Sequence, residues 1–260
     1  MTVLAHLPSR TFAVVLLSFA VAACGQAQEN RDDANPGTPA GSSPAAGSPS
    51  ATSPSASATP PPAAPGGDAA DGGVPLAEAI RKISVAAEAR EGYKRGAFKH
   101  WVDADKDGCD TREEVLLAEA VKAPEQGAGC KISGGSWKSL YDGAVVNDPK
   151  GLDIDHVVPL AEAWDSGADA WSAERRQAYA NDLDADRSLI AVTAKTNRSK
   201  GDKDPARWMP PAASAQCPYL ADWIAAKLRW NLTADTAEAA ALTRYAAACP
   251  TATVTYESAT

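Results

Sequence analysis

The sequence is poor in the residues that build metal sites from nitrogen and sulfur ligands. It has three histidines and five cysteines among 260 residues, with no CxxC or HxxxH spacing, which argues against a zinc site. His100 lies in no motif and is expected to be a surface or structural residue. A basic excess is missing as well, because the formal net charge is −8. Nonspecific nucleic-acid binding depends on neutralising phosphates, so this charge leaves room only for a local basic patch.

The N-terminal residues contain no apolar run long enough to cross a bilayer as a helix. Arg10 precedes an apolar stretch that ends in small residues directly before Cys24. This pattern is typical of an export signal and resembles a lipobox, in which the cysteine becomes the lipidated N-terminus. We therefore predict a lipoprotein-type signal peptide over residues 1–23 and a lipid anchor on Cys24 that holds the exported protein at a membrane of the cell envelope. Ordinary cleavage near the same place, with release of a secreted protein, is the alternative.

Residues 24–73 lack aromatic side chains and apolar periodicity. Ala, Pro, Ser, Gly and Thr dominate this stretch, so it cannot bury enough surface to offset the loss of chain entropy on folding. We predict a disordered tether here and a folded domain over residues 74–260.

The cysteines are expected to form disulfides. Lipidation of Cys24 would leave an even set of four in an exported chain, where oxidation is favoured. Four cysteines allow three pairings. Proximity in sequence favours Cys109 with Cys130 and Cys217 with Cys249, and we predict these two bonds.

Helical and strand-like patterns both occur in the predicted domain, which indicates the α+β class. The predicted helices cover 76–90, 111–120, 160–165, 172–179, 219–230 and 235–248, and a turn opens a short helix over 195–200. Short strands are predicted over 152–157 and 188–192, and a strand pair over 139–146 with its turn at Asp142-Gly143. In the last helix, Asp235 and Glu238 have the spacing of a capping box.

One short segment joins two aspartates to a histidine. The sequence DIDH at 153–156 lies on a predicted strand, so Asp153 and Asp155 share one face while His156 projects from the other. Further along the chain, the strand over 188–192 runs into the polar sequence KTNRSKG, which opens a short helix.

These segments carry a family resemblance. IDHVVPL, AND at 180–182, SLIAV and NRSKGDKDP resemble the HNH nucleases. With AWDSGADAW and ERRQAYANDL, they are similar to a secreted bacterial branch related to the C-terminal nuclease domain of GmrSD-type restriction enzymes, over roughly residues 93–249. The resemblance implies a ββα-metal core, two short strands and a helix around one metal ion, with additional helices. It also implies a metal-dependent endonuclease that hydrolyses phosphodiester bonds in DNA, with RNA as a further substrate.

The resemblance also implies a role for each site residue. His156 would be the general base, and its ordinary pKa near neutrality suits that role. Asp155 and Asn197 would offer oxygen ligands to one Mg²⁺ or Mn²⁺, with Asp153 behind them. Asn197 stands where the family name has its last histidine. Asn181 matches the middle asparagine and is expected to orient the loop of His156 rather than touch substrate.

A local basic patch accompanies the motif. Between Arg187 and Trp208 there are six basic residues against two acidic ones, although the whole chain is acidic. Within this patch, Arg198 and Lys200 are suited to phosphate contacts, and Arg176 is a further candidate. The expected partner is thus nucleic acid, besides the membrane that holds the anchor, and no protein partner is evident.

A second motif points to calcium. Asp103, Asp105, Asp107 and Glu114 fit the DxDxDGx5E template, in which carboxylates surround Ca²⁺ and the glycine makes a sharp turn. Two positions depart from a standard loop: the seventh is a cysteine assigned to a disulfide, and the eighth is acidic where an aliphatic residue is usual. A structural Ca²⁺ site is compatible with catalysis. A non-catalytic, calcium-binding exported lipoprotein is the alternative to the nuclease.

Overall fold

The computed structural model describes residues 73–259. The predicted signal peptide over 1–23, the lipidation site Cys24 and all but the last residue of the predicted tether lie outside the described residues. Within 73–259, no helix combines the length and the apolar composition that crossing a membrane requires.

The described part of the chain is α+β, with short elements of both kinds. Its α-helices are α1 (Leu76–Ile80), α2 (Thr111–Ala118), α3 (Leu160–Asp165), α4 (Ala173–Ala180), α5 (Ala194–Lys200), α6 (Ala213–Arg229) and α7 (Thr236–Ala246). Its strands form antiparallel pairs: β1 (Val74–Pro75) with β8 (Thr253–Val254), β2 (Glu125–Gln126) with β3 (Ile132–Ser133), β4 (Trp137–Lys138) with β5 (Val145–Val146), and β6 (Leu152–His156) with β7 (Leu189–Thr193).

The strand pair β6–β7 is the longest in the described residues and lies between two apolar clusters. It pairs Leu152 with Thr193 at one end and His156 with Leu189 at the other. One face packs against a small cluster that includes Val115, Leu116, Trp137, Leu152, Ile154, Leu189 and Ala191. The other face carries Ile190 and Val192 into the larger core, which also contains residues of α1, α6 and α7. Burial on both faces fixes the register, because a slip by one residue would exchange the two sets of side chains.

Two predicted elements differ from the structure. The predicted helix 76–90 ends at Ile80, because the following segment pairs with the loop before α7 instead: Ala86 N donates to Ala234 O (3.0 Å) and Ala234 N to Ser84 O (2.9 Å). The predicted strand pair over 139–146 is also shifted. Its first strand, β4, ends at Lys138, its second, β5, begins at Val145, and residues 139–144 form the loop between them. Its turn is nevertheless where the sequence predicts it, with Gly143 at a φ of 71°.

Both predicted disulfides are confirmed. The Cys109–Cys130 bond, with a Cα–Cα distance of 5.0 Å, lies directly before α2. The Cys217–Cys249 bond, at 5.6 Å, joins α6 to the residues that follow α7. Helices α6 and α7 are therefore covalently connected near one end.

A buried charged cluster holds the other end of α6. Lys227 Nζ donates to Glu162 Oε1 (2.9 Å), Glu238 Oε2 (2.9 Å) and Ser166 Oγ (2.7 Å). The predicted capping box is only half formed as a result. Asp235 Oδ1 accepts from Glu238 N (2.7 Å), but the side chain of Glu238 turns inward to Lys227. Helices α3, α6 and α7 are thus joined by one ammonium group.

The Cys217–Cys249 bond should stabilise the fold mainly by restricting the unfolded chain. Its loop spans a sequence separation of 32 residues, and we expect Cys217→Ser with Cys249→Ser to lower the free energy of unfolding by about 3–4 kcal/mol. Urea denaturation of the oxidised protein measures this, with the reduced wild type as the reference for loss of both bonds. A double variant as stable as the oxidised wild type would contradict the prediction.

Candidate active site

Strand β6 and helix α5 bring the two distant motif segments into contact. Asn197 Nδ2 donates to Asp153 Oδ2 at 3.2 Å, and one helical turn further Lys200 Nζ donates to Asp155 Oδ2 at 2.7 Å. Asp153 and Asp155 therefore share the face of β6 that α5 covers, as the strand alternation predicts. Asp142 fixes the start of α5, because its Oδ2 accepts from the hydroxyls of Thr193 (2.5 Å) and Thr196 (2.6 Å).

Asp155 is buried and is held through one of its two oxygens. Its Oδ2 accepts from the hydroxyl of Tyr141 (2.5 Å) as well as from Lys200. Burial raises the pKa of Asp155 and lowers that of Lys200, while the charge of each group opposes the shift of the other. Among the described residues, Oδ1 of Asp155 has no hydrogen-bond partner. This oxygen is therefore the one left for a ligand.

Asn197 is held in the same manner. Its side-chain nitrogen is used by Asp153, so the amide group is oriented with Oδ1 as its remaining acceptor. Both predicted metal-binding residues thus present an oxygen that no protein donor within 73–259 occupies. Carboxylate and amide oxygens are the ligand types that a hard cation such as Mg²⁺ prefers, so this donor set fits the implied metal.

The ring of His156 is fixed by a backbone carbonyl. Its Nε2 lies 3.0 Å from Ala180 O, and a carbonyl can only accept, so Nε2 carries the proton and Nδ1 is the basic nitrogen. The ring packs against Tyr179 (6.3 Å between centroids) and Trp101 (5.8 Å). Burial lowers the pKa of His156 to about 3, and the charges of Arg95 and His100 act in the same direction. The imidazole is therefore neutral near pH 7, and its surroundings make it a weak base.

Asn181 holds a different segment from the one expected. Its Oδ1 accepts from Val102 N (3.0 Å) and from the Thr111 hydroxyl (2.7 Å), and its Nδ2 donates to Lys99 O (2.7 Å). The prediction that Asn181 orients the loop of His156 is therefore corrected. Asn181 fixes the chain that faces His156, whereas the imidazole donates its hydrogen bond to the carbonyl oxygen of the neighbouring residue, Ala180.

Two of the predicted phosphate contacts are corrected by their surroundings. Lys200 is fully buried and pairs with Asp155, so its ammonium group is not available to a substrate. The guanidinium group of Arg176 is used by backbone carbonyls, with Nε donating to Ala97 O (3.3 Å) and Nη1 to Ala168 O (3.2 Å) and Trp171 O. Both are structural cations here. Arg198 is exposed on α5, where a phosphate could reach it.

The predicted basic patch is smaller than its sequence count. Arg187 pairs with Asp222 at 2.7 Å, and Arg207 pairs with Asp204 at 3.1 Å. With Lys200 buried as well, half of the six basic residues are committed to carboxylates. The exposed remainder is Lys195, Arg198 and Lys203.

Three residues beside the site carry no motif. Tyr141 is the buried partner of Asp155. His100, expected to be a surface or structural residue, is half-buried, and its ring lies 6.5 Å from that of His156; the ring of Trp101 is closer, at 5.8 Å. A sequence signal for His100 and Trp101 does exist: residues 93–102 contain two lysines, one arginine and no acidic residue.

The predicted calcium ligands converge in part. One carboxylate oxygen each from Asp103, Asp105 and Asp107 lies within 4.8 Å of the others, and Asp107 also forms such a group with Cys109 and Glu114. The Cys109 sulfur is bonded to Cys130, which leaves the carboxylates as the oxygen donors. Burial, and then the charges of the three aspartates, raise the pKa of Glu114. The carboxylate of Glu114 is thus close enough to the three aspartates to feel their negative charge, as the template requires.

Comparison with known proteins places these elements in a family. Residues 111–245, slightly more than half of the chain, match the model of the C-terminal domain of GmrSD restriction endonucleases. A protein of Arthroderma benhamiae described as an uncharacterized secreted protein is 42% identical over 160 residues, which are 62% of this chain and 77% of that relative. That relative is fungal, so the bacterial branch implied by the motifs stays a prediction. No solved structure matches the chain.

The low pKa of His156 should make stability depend on pH. In the unfolded chain its pKa returns to about 6.5, so the unfolded state binds the proton first and the contribution of His156 falls as the pH falls through 6.5 toward 3. Between pH 7 and pH 5 we expect a loss of about 2 kcal/mol that His156→Phe does not show. Urea denaturation of both proteins across this range measures the difference, in which the contributions of other groups cancel. Identical pH dependence in the two would contradict the assignment.

Proposed function

Because the chain belongs to the family of GmrSD restriction endonuclease C-terminal domains, we propose that it is an exported, metal-dependent HNH endonuclease that hydrolyses phosphodiester bonds in DNA. One observation carries the proposal: His156, Asp155 and Asn197 are each held through one atom, so that Nδ1 of the histidine and Oδ1 of the other two stay available. RNA is a further substrate to be tested.

Asp155 and Asn197 would hold one Mg²⁺ or Mn²⁺ through these oxygens, with Asp153 keeping the amide of Asn197 in place. The cation would neutralise charge that builds on the phosphate during hydrolysis. Lys200 and Tyr141 keep the carboxylate of Asp155 directed, since both donate to its other oxygen. The ligand geometry is thus prepared by hydrogen bonds that the protein makes itself.

His156 would accept the proton of the attacking water at Nδ1. The hydrogen bond from Nε2 to Ala180 O keeps the ring in the tautomer that this step needs, and it also disperses the positive charge that forms. A phosphate brought next to the imidazole raises its pKa, because a neighbouring negative charge favours the protonated form. The negative charge of a bound substrate phosphate would therefore oppose the lowering of the His156 pKa by burial. Arg198, exposed on α5, would contact a substrate phosphate.

Export is supported by two disulfides and by the secreted description of the Arthroderma protein. The N-terminal sequence before Cys24 supports anchoring by a lipid at a membrane, with residues 24–73 as the spacer. Low-specificity cleavage would then occur away from the chromosome of the producing cell.

Plasmid cleavage tests the proposed activity. We expect the purified protein to nick or linearise plasmid DNA in Mg²⁺ or Mn²⁺ and to stop in EDTA. His156→Ala should lower the rate at least ~100-fold, because it removes the general base, and Asn197→Ala should raise the metal concentration required. Asp169→Asn, which removes an exposed carboxylate elsewhere, is the matched control and should cleave like the wild type. Folded wild type that leaves DNA and RNA intact, or His156→Ala with full activity, would reject the proposal.

The acidic loop suggests a second role, a structural Ca²⁺ site at Asp103, Asp105, Asp107 and Glu114. The convergence of the three aspartates favours it, together with Gly108, whose φ of 99° supplies the turn that the template assigns to glycine. Ca²⁺ here would fix the chain directly before α2.

Calcium should raise the melting temperature if the loop binds it. We expect an increase of several degrees in millimolar Ca²⁺ over EDTA, because a ligand bound only by the folded state stabilises it. Asp105→Asn should remove most of the increase, whereas Asp169→Asn should retain it. A wild-type melting temperature that is indifferent to Ca²⁺ would exclude the site. An increase in a protein without nuclease activity would instead favour the non-catalytic alternative.

A further inference from the structure

We propose that residues 94–101, here called the cationic segment, form the surface along which the phosphate backbone of a nucleic-acid strand reaches His156. This inference rests on the proposed function and adds where the substrate binds. The segment precedes the family match, which begins at residue 111.

The charges of the cationic segment are free to meet phosphates. Lys94, Arg95 and Lys99 are exposed, and the segment contains no acidic residue. Within the part of the chain that the structure describes, none of the three takes part in a salt bridge. In this they differ from Arg187 and Arg207 of the predicted basic patch, which are paired with carboxylates. An unpaired surface cation can exchange its counterions for a phosphate without first losing a protein partner.

The backbone of the cationic segment is held in place from both sides. Arg176 Nε donates to Ala97 O, and Asn181 bonds to Lys99 O and to Val102 N just beyond the segment. Phe98 is fully buried, with its ring 6.0 Å from Tyr179. Arg176 and Asn181, for which the sequence predicts other roles, therefore fix the backbone of this segment. Because its backbone is fixed before binding, little ordering entropy would oppose binding of a strand.

The far end of the cationic segment lies beside the proposed base. The rings of His100 and Trp101 are 6.5 Å and 5.8 Å from the ring of His156. Trp101 has a φ of 59°, an uncommon conformation for a bulky residue that surrounding contacts must impose. His100 Nδ1 bonds to Phe98 O, which leaves its Nε2 as the second nitrogen. A strand that follows the lysines and the arginine would thus arrive at the imidazole of His156.

Acidic residues limit the cationic segment on both sides. Glu91 precedes it, and Asp103, Asp105 and Asp107 follow it. In a chain with a net charge of −8, most of the surface repels a polyanion, so a short strip of unpaired cations concentrates the attraction in one place. The proposed binding surface then lies next to the proposed base, His156.

The salt dependence of DNA binding tests the inference. In protein carrying His156→Ala to prevent cleavage, the triple change Lys94→Ala, Arg95→Ala and Lys99→Ala should weaken binding of a duplex at low salt about tenfold or more. It should also reduce the slope of log K against log salt by about 2 to 3, since each lost phosphate contact removes about 0.9. The matched control is Arg81→Ala, Lys122→Ala and Lys131→Ala, which removes the same charges from exposed positions elsewhere and should leave the slope nearly unchanged.

Exchanging the same residues for the other basic type, Lys94→Arg, Arg95→Lys and Lys99→Arg, should retain the slope and thereby separates lost charge from lost folding. Equal weakening in both alanine triples would overturn the inference, because binding would then follow overall charge. So would an unchanged slope in the first triple. Wild type that cleaves DNA while the first triple binds normally rejects the cationic segment alone, whereas wild type that neither binds nor cleaves nucleic acid rejects the proposed function itself.

Discussion

The buried contact between Asp155 and Lys200 is the interaction on which the rest of the site depends. It joins β6 to α5 across a sequence separation of 45 residues, and both side chains are buried. An ion pair at such a position is stable only when further hydrogen bonds satisfy both groups. Tyr141 supplies one to the carboxylate, and His156 O accepts one from the ammonium. Loss of either charge would leave the other buried without an opposite charge beside it.

The proposed site residues are held in place by hydrogen bonds and still keep atoms that could bind a ligand. His156, Asp155 and Asn197 each use one side-chain atom in hydrogen bonds to the protein and leave another available. For the histidine the holding partner is a carbonyl, for Asn197 a carboxylate, and for Asp155 an ammonium and a hydroxyl. These partners come from several elements, so the arrangement is a property of the tertiary fold rather than of any one motif.

Sequence patterns were sufficient where the information is local. Strand alternation correctly placed Asp153 and Asp155 on one face, and proximity correctly paired the cysteines. Residue type alone did not predict the roles of charged side chains. A lysine exposed to solvent can bind a phosphate, whereas a lysine in the core serves as a structural cation. Lys200 and Arg176 took the second role, through partners distant in sequence. The helix predicted over 76–90 failed for a related reason, since its second half pairs with residues near 234 instead.

The position of the Cys109–Cys130 bond has a consequence for where the protein works. Cys109 lies two residues before Thr111, whose hydroxyl bonds to Asn181, which in turn holds the chain facing His156. Oxidation of this cysteine pair therefore supports, through Thr111 and Asn181, the segment that faces His156. In a reducing cytosol this disulfide would not form. The segment that faces His156 would then be less firmly held while the newly made chain shares a compartment with the genome that encodes it. Formation of this bond after export would then also fix the segment that faces His156.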